Sequence, residues 1–162
     1  MKISQIDFGS FLTYSPYGET DIEKRSRTAR TNLKRDEHIN IGSEQPLMSD
    51  YLAELIKKRL DTLPFASFFN ENSILIPAPS SSLLQPNSIW VPELLANALV
   101  KVGLGKDSKS CLQRAYAVAK SSKVSSENRP KVIDHYNSMV VQKILDEPEE
   151  ILVIDDIETR GS

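Results

Sequence analysis

The chain has 162 residues, of which 40% are hydrophobic and 26% charged, and these values are ordinary for one soluble globular domain. Its formal net charge of -2 gives no global reason to expect a nucleic acid or an anionic membrane as a partner. The single cysteine, Cys111, excludes an internal disulfide framework, and the lack of a secretory signal or a long apolar run predicts a cytoplasmic protein without a membrane span.

Residues 1–70 are predicted to form an N-terminal extension of one strand and two helices. Apolar residues within the segment 5–14 favour a strand that joins the edge of a sheet. Residues 20–23 have the spacing of a capping box, which predicts a helix that runs to about Arg35. Ser49 is a good N-cap for a second helix. The apolar residues of that helix fall on one face: Leu52, Leu55, Ile56, Leu60 and Leu63.

From residue 71 onward, predicted strands alternate with predicted helices, which is typical of an α/β fold with a parallel sheet flanked by helices. Residues 74–76 predict a buried strand, and a helix begins near Pro92 and ends at Gly103. The buried stripe of this helix is Leu94, Leu95, Ala98, Leu99 and Val102. A short helix within residues 125–136 and strands at residues 139–141 and 151–154 complete the prediction.

The strand at residues 151–154 is followed at once by two carboxylates, Asp155 and Asp156. Four consecutive apolar residues are typical of a strand that is buried on both faces of a parallel sheet. Ligands of open α/β sheets bind beyond the carboxyl ends of the strands. We therefore expect the two aspartates to face a ligand.

The residues that follow, Thr159, Arg160, Gly161 and Ser162, are predicted to form a loop that leads into a helix. Gly161 lets the backbone approach a ligand closely, and exposed amides at a helix start bind phosphate. Acids for sugar hydroxyls beside amides for a phosphate describe a site for ribose 5-phosphate.

Residues 151–162 resemble the phosphoribosyl pyrophosphate (PRPP) signature of type I phosphoribosyltransferases. That signature has four apolar residues, two acids, two further positions and then Thr-x-Gly, and Glu158 departs from the aliphatic residue that is usual at its position. The sequence given stops before the closing Thr or Ser of the signature. We therefore expect a core at residues 71–162 that is truncated after the PRPP loop. We also expect the strand at residues 151–154 to be partly exposed or paired with another chain, and the isolated chain to show no turnover.

The resemblance extends back to about residue 73. Residues 74–82 are similar to the first core strand and pyrophosphate loop of the family, in which Ser80, Ser81 and Ser82 would offer hydroxyls and amides. Residues 112–140 resemble the ComF-like branch. Four basic residues of this region are predicted to close over the pyrophosphate: Arg114, Lys120, Lys123 and Arg129.

The resemblance implies transfer of ribose 5-phosphate from PRPP to an acceptor, with release of pyrophosphate. Asp155 and Asp156 would be the catalytic acids that hold the ribose hydroxyls, and residues 159–162 would hold the 5-phosphate. Mg²⁺ would be carried by PRPP rather than by a protein cage. The resemblance does not select an acceptor or an oligomeric state.

Two other classes of function are carried as alternatives. The first is a non-catalytic module that binds PRPP or a nucleotide for regulation or assembly. The second, less favoured, is a nucleic-acid accessory factor, which depends on basic residues at helical spacing: Lys24, Arg25, Arg27, Arg30, Lys34 and Arg35.

Three other kinds of site are disfavoured by the sequence. A Walker B strand requires an upstream phosphate loop, and residues 103–107 do not fit that pattern. A response-regulator receiver would lie wholly beyond Ser162. His38 and His135 have no Cys or His at ligand spacing, so no zinc site is predicted.

Overall fold

The computed structural model describes residues 7–80, 82–119, 129–143 and 148–157. Helices α1 to α4 span Asp21–Arg35, Met48–Arg59, Val91–Lys101 and Val132–Asn137. Strands β1 to β5 span Ser73–Pro77, Asp107–Ser108, Leu112–Arg114, Met139–Val141 and Glu150–Ile154. Short 3₁₀ turns lie at Leu60–Thr62 and Ala66–Phe68.

The fold is mixed α/β, with a three-stranded sheet in the order β2-β1-β5. Both strand pairs are parallel, which confirms the predicted parallel sheet. In the β1–β5 pair, Ile74 lies opposite Ile151 and Pro77 lies opposite Ile154. The strands β3 and β4 form a separate antiparallel ribbon. Within the described part of the chain, no helix has the length and apolarity needed to cross a membrane.

One apolar core joins the helices to the sheet. Leu33 of α1 and Leu52 of α2 belong to the same buried cluster as Leu75 of β1 and Leu99 of α3. Complete burial of a leucine of this kind contributes about 1.5–3 kcal/mol relative to exposure. The N-terminal helices are thus packed onto the sheet, while the proposed division of the chain at residue 70 stays a prediction.

Helix α1 begins and ends as predicted. Glu23 and Thr20 form a capping box, in which the Thr20 amide donates to Glu23 Oε2 at 3.0 Å and the Glu23 amide donates to Thr20 Oγ1 at 3.4 Å. These bonds satisfy amides that have no partner within the helix. The helix ends at Arg35, and Asp36 takes a left-handed conformation with φ of 46°.

The prediction that Ser49 caps α2 was wrong. Leu47 occupies the N-cap position, and Ser49 lies buried inside the first turn. The Ser49 amide donates instead to Asp36 Oδ1 at 2.8 Å. The carboxylate that bonds to the first turn of α2 therefore comes from Asp36, the C-cap residue of α1, and this bond fixes the corner between the two helices.

The prediction of a strand at residues 5–14 was wrong for the described residues 7–14, which form no strand. The Ser10 hydroxyl donates to the Leu12 carbonyl at 3.0 Å, a local bond that competes with a strand ladder. Gly9 lies so close to Phe65 that a Cβ atom there would be 2.5 Å from the Phe65 ring. The segment thus packs across aromatic side chains rather than along a sheet edge.

The strand β5 is present, and it is partly exposed as expected for this strand, although its apolar run is typical of a strand buried on both faces. Leu152 and Ile154 face the core, whereas Ile151 and Val153 are 57% and 56% exposed. The helix α3 covers the core face of the sheet. The neighbouring strand β1 is buried at all its positions, because Cys111 and Leu112 also cover Ile74 and Ile76 on its second face.

The remaining predicted elements are present where the structure describes them, with two differences. The helix expected to run to Leu63 ends at Arg59, and Leu94 of the predicted stripe of α3 is only half-buried. The helix α3 has proline at its start, and Gly103 follows its end with φ of +84°, as the glycine predicted. The short helix expected within residues 125–136 is α4, which is formed at Val132–Asn137. Residues 125–128 of that prediction lie outside the described residues.

Candidate functional site

The parallel pairing of β1 and β5 brings two predicted parts of the site together. Both strands end at the same edge of the sheet, and the Ala78 amide donates to the Ile154 carbonyl at 2.7 Å beyond the last paired residues. The loop at residues 78–80 therefore begins beside Asp155 and Asp156. The carboxyl edge of a parallel sheet is where ligands of such folds bind.

Asp155 is the solvent-exposed acid of the pair. The Asp156 amide donates to Asp155 Oδ1 at 2.8 Å, which fixes the orientation of the carboxyl group. Desolvation at the strand end raises the pKa of Asp155 above its ordinary value of 3.8, and the neighbouring Asp156 carboxylate raises it further. The Asp156 amide and the Lys34 ammonium act in the opposite direction. Asp155 is thus an oriented, accessible hydrogen-bond acceptor.

Asp156 has a different environment. Its side chain is only 7% exposed, and its Oδ2 atom forms an ion pair with the Lys34 ammonium of α1. The two residues are 122 positions apart in the sequence. Sequence reasoning placed Lys34 only in a basic helix face, and no local pattern could have indicated this pairing.

The loop after β1 is held through its carbonyl oxygens. The Trp90 indole donates to the Ala78 carbonyl at 2.9 Å, and Arg114 Nε donates to the Ser80 carbonyl at 3.0 Å. The Ser80 hydroxyl accepts from the Ser82 amide at 3.2 Å. Carbonyls bonded in this way cannot turn toward an anion, so the anchors favour a loop that could accept phosphate. Ser81 lies outside the described residues.

Arg114 joins this loop to the ribbon and to α4. Its guanidinium also donates to the His135 carbonyl at 2.8 Å and to the buried Ser138 hydroxyl, and Nη2 lies 3.1 Å from His135 Nδ1. Burial lowers the pKa of Arg114 from its ordinary value. The observed contacts of Arg114 give it an anchoring role, and its predicted closure over pyrophosphate stays a prediction.

The other predicted basic residues are less informative. Arg129 lines an open depression with Tyr116, Lys131 and Asp134. Lys120 and Lys123 lie outside the described residues, as do Thr159, Arg160, Gly161 and Ser162 of the predicted phosphate loop. The contribution of these residues to the site stays a prediction.

Most of the basic side chains of α1 contact other parts of the protein. Arg27 Nη2 donates to the Gly18 carbonyl at 2.8 Å, and Arg30 lies over the Tyr14 ring at 5.5 Å from its centroid. The remaining contacts are the ion pairs of Lys24 with Glu19, Lys34 with Asp156 and Arg35 with Glu37. Because these cations already have partners, the helix face offers less free charge to a nucleic acid than its sequence indicates.

Across the described residues, no group of three or more His, Cys, Asp or Glu side chains is placed to hold a metal ion. His38 Nδ1 lies 2.6 Å from the Gln45 carbonyl, and His135 contacts Arg114. No family model, no curated protein and no solved structure matches this chain. The functional argument accordingly depends on the residues of the site itself.

Proposed function

We propose that this protein binds PRPP and transfers its phosphoribosyl group to an acceptor with release of pyrophosphate, as type I phosphoribosyltransferases do. The observation that carries the proposal is the meeting of two loops at one edge of a parallel sheet. The loop at residues 78–80 and the acid Asp155 each follow a strand of the resembling segment, and the register of β1 with β5 puts them side by side. We further propose that this sheet is part of a phosphoribosyltransferase-like core.

The proposed chemistry needs positioning and charge stabilisation rather than a protein nucleophile. The bond from ribose C1 to the pyrophosphate oxygen breaks, and a bond from C1 to the acceptor forms. Positive charge develops on the ribose ring, and an ionised carboxylate nearby would favour it. Asp155 would accept hydrogen bonds from the ribose hydroxyls, residues 80–82 would receive pyrophosphate, and residues 159–162 would receive the 5-phosphate.

The donor set suits a magnesium ion that arrives with the substrate. Mg²⁺ prefers oxygen ligands and keeps several waters while it binds one or two carboxylates and substrate phosphates. The exposed Asp155 carboxyl could supply one such oxygen. The ion would neutralise part of the charge of the leaving pyrophosphate.

A second function is a PRPP or nucleotide sensor without turnover. One observation favours it. The Asp156 carboxylate is enclosed in an ion pair with Lys34, so only Asp155 of the two acids in the signature is open to a ligand. A sensor and a transferase share ribose recognition, and they differ in chemistry. Pyrophosphate release from PRPP with any of a panel of purine and pyrimidine bases, in this chain or in one that continues past Ser162, would identify the transferase.

The binding step is tested by the substitution Asp155→Asn. We expect PRPP in the presence of Mg²⁺ to bind about 10- to 100-fold more weakly, because hydrogen bonds to a charged acceptor are worth roughly 1.5–3 kcal/mol. Isothermal titration calorimetry measures the affinity. Asp61→Asn, an exposed acid after α2, is the matched control and should bind as the wild type does. Equal PRPP affinity of Asp155→Asn and the wild type would show that Asp155 does not contact PRPP.

A further inference from the structure

We propose that Lys34 of α1 is a positioning residue of the ribose site, which holds Asp156 in an ion pair and leaves Asp155 as the acid that contacts the ligand. This inference rests on the proposed function and adds to it. It assigns a role in the site to a helix that lies outside the segment with the family resemblance. It also gives two adjacent acids of the signature different roles: Asp155 contacts the ligand, and Asp156 binds Lys34.

The first step of the argument is the unequal exposure of the two acids. The Asp156 side chain is 7% exposed and paired, whereas Asp155 is open to solvent. A ribose hydroxyl that approached Asp156 would have to displace the Lys34 ammonium from a carboxylate that is almost enclosed. The exposed Asp155 requires no such displacement, so it is the acid that a sugar reaches.

The second step is that the backbone of α1 around Lys34 is fixed, so the base of its half-exposed side chain stays within reach of Asp156. Its neighbour Leu33 is 7% exposed and lies in the main core. Two residues further on, Asp36 ends α1 and accepts the Ser49 amide of α2 at 2.8 Å. The last turn of α1 is thus fixed on both sides of Lys34. A cation in that turn is also favoured by the partial negative charge at the carboxyl end of the helix.

The third step is electrostatic. Desolvation is the main cause that raises the pKa of Asp155, the Asp156 charge adds to it, and the Lys34 charge lowers it. Removal of Lys34 would leave two adjacent carboxylates without a neighbouring cation. The pKa of Asp155 would then rise further, and the added negative charge would repel a phosphorylated ligand. Lys34 therefore opposes the upward shift in the pKa of Asp155 and favours the ionised carboxyl that accepts sugar hydroxyls.

The charged groups around Asp155 are few. Asp156 and Lys34 are the charged groups that shift the pKa of Asp155 among the described residues. Affinity for PRPP should increase as the pH rises through the raised pKa of Asp155, because only the ionised carboxyl accepts two hydroxyl hydrogen bonds. In a variant without Lys34, the same increase should occur at a higher pH.

The test compares Lys34→Met with Lys34→Arg and with Arg35→Met. Arg35 is the next residue on the helix and pairs on the surface with Glu37 at 3.1 Å, so Arg35→Met removes the same charge away from the acids. PRPP affinity is measured by calorimetry across pH, and the pKa of Asp155 is measured by carboxyl ¹³C NMR without ligand. A fourth variant, Asp156→Asn, tests the division between the two acids.

We expect Lys34→Met to bind PRPP several-fold more weakly at a pH near the pKa of Asp155, because loss of the neighbouring cation lowers the ionised fraction of this carboxyl and leaves both acids without a paired charge. Lys34→Arg and Arg35→Met should bind like the wild type. Asp156→Asn should weaken binding less than Asp155→Asn does. If Lys34→Met does not fold, Lys34→Gln is measured in its place.

Unchanged affinity and an unchanged pKa of Asp155 in Lys34→Met would overturn the inference. A larger loss in Asp156→Asn than in Asp155→Asn would overturn the division between the acids. If the wild type does not bind PRPP, the proposed function fails. The pKa of Asp155 in the ligand-free variants would still show whether Lys34 controls this acid.

Discussion

The strands β1 and β5 lie side by side in one sheet, paired from Ser73 with Glu150 to Pro77 with Ile154. Both have apolar centres, yet β1 is buried at all five positions and β5 is buried only at Ile154. The cause is their surroundings. The strand β1 has a strand on each side and apolar cover on both faces, whereas β5 has one neighbouring strand and one open face within the described residues.

The two strands contribute differently to the protein: β1 mainly stabilises the fold, and β5 positions the acids of the candidate site. The central strand β1 supplies Leu75, which is 0% exposed, and its exit loop is anchored by Trp90 and Arg114. The strand β5 contributes less buried apolar surface, but it ends in the acids that we assign to the ligand. The partly exposed strand β5 can present Asp155 and Asp156 at its end because its pairing with the buried strand β1 fixes its position.

The largest effect is expected for Leu75→Ala. This side chain is completely buried between α3 and the sheet, so its truncation should lower the free energy of unfolding by about 2–5 kcal/mol. Urea denaturation followed by circular dichroism measures the change. Leu83→Ala, at a residue that is 44% exposed, is the control and should change stability by less than about 1 kcal/mol. A loss below about 1 kcal/mol at Leu75 would be inconsistent with its complete burial.

A smaller effect on stability, with a specific effect on binding, is expected for Arg114→Met. The change removes a donor from the Ser80 carbonyl and one from the Ser138 hydroxyl, which keeps its own bond to the His135 carbonyl, so each lost bond should cost about 0.5–1.5 kcal/mol. The loop at residues 78–80 should then lose its fixed geometry. We expect weaker binding of pyrophosphate and PRPP than in the wild type, and a smaller change for ribose 5-phosphate.

The measurement for Arg114→Met is calorimetry with the three ligands at one magnesium concentration. Arg114→Lys should not restore binding, because a single ammonium cannot reproduce a guanidinium that bonds to three residues, Ser80, His135 and Ser138. Arg59→Met, an exposed arginine at the end of α2, provides the matched control. An equal loss of affinity for all three ligands would indicate a general change in the protein rather than a loop-specific one.

Much of the local structure could be predicted from the sequence because its signals lie within one or two turns. The Thr20–Glu23 capping box and Gly103 at the end of α3 each depend on neighbouring residues, and the structure has both. The predictions that were wrong depend on which distant residues contact a given side chain or backbone group. Ser49 looked like a cap because of its side chain, but its position depends on Asp36, which lies 13 residues away.

In the candidate site, too, local sequence signals could be predicted and contacts between distant residues could not. The residues Asp155 and Asp156 were identified by a contiguous pattern. The expectation of a parallel sheet did not specify which strand lies beside theirs, and the structure shows that it is β1. Their unequal environments could not be predicted, because Lys34 reaches Asp156 across 122 positions. The anchoring of Ser80 by Arg114 spans 34 positions and likewise depends on the ribbon that carries Arg114.

The smallest effect is expected for Ile151→Thr, and its partner substitution is Ile74→Thr. The two isoleucines lie directly opposite each other, one 57% and the other 9% exposed. Threonine keeps the β-branched shape that suits a strand, so the substitution at the exposed position should change stability by about 0.5 kcal/mol or less. At the buried position, the lost ethyl group and the enclosed hydroxyl should cost about 1–3 kcal/mol. Denaturation of the two variants under identical conditions measures the difference, and equal losses would mean that the Ile151 face is covered in solution.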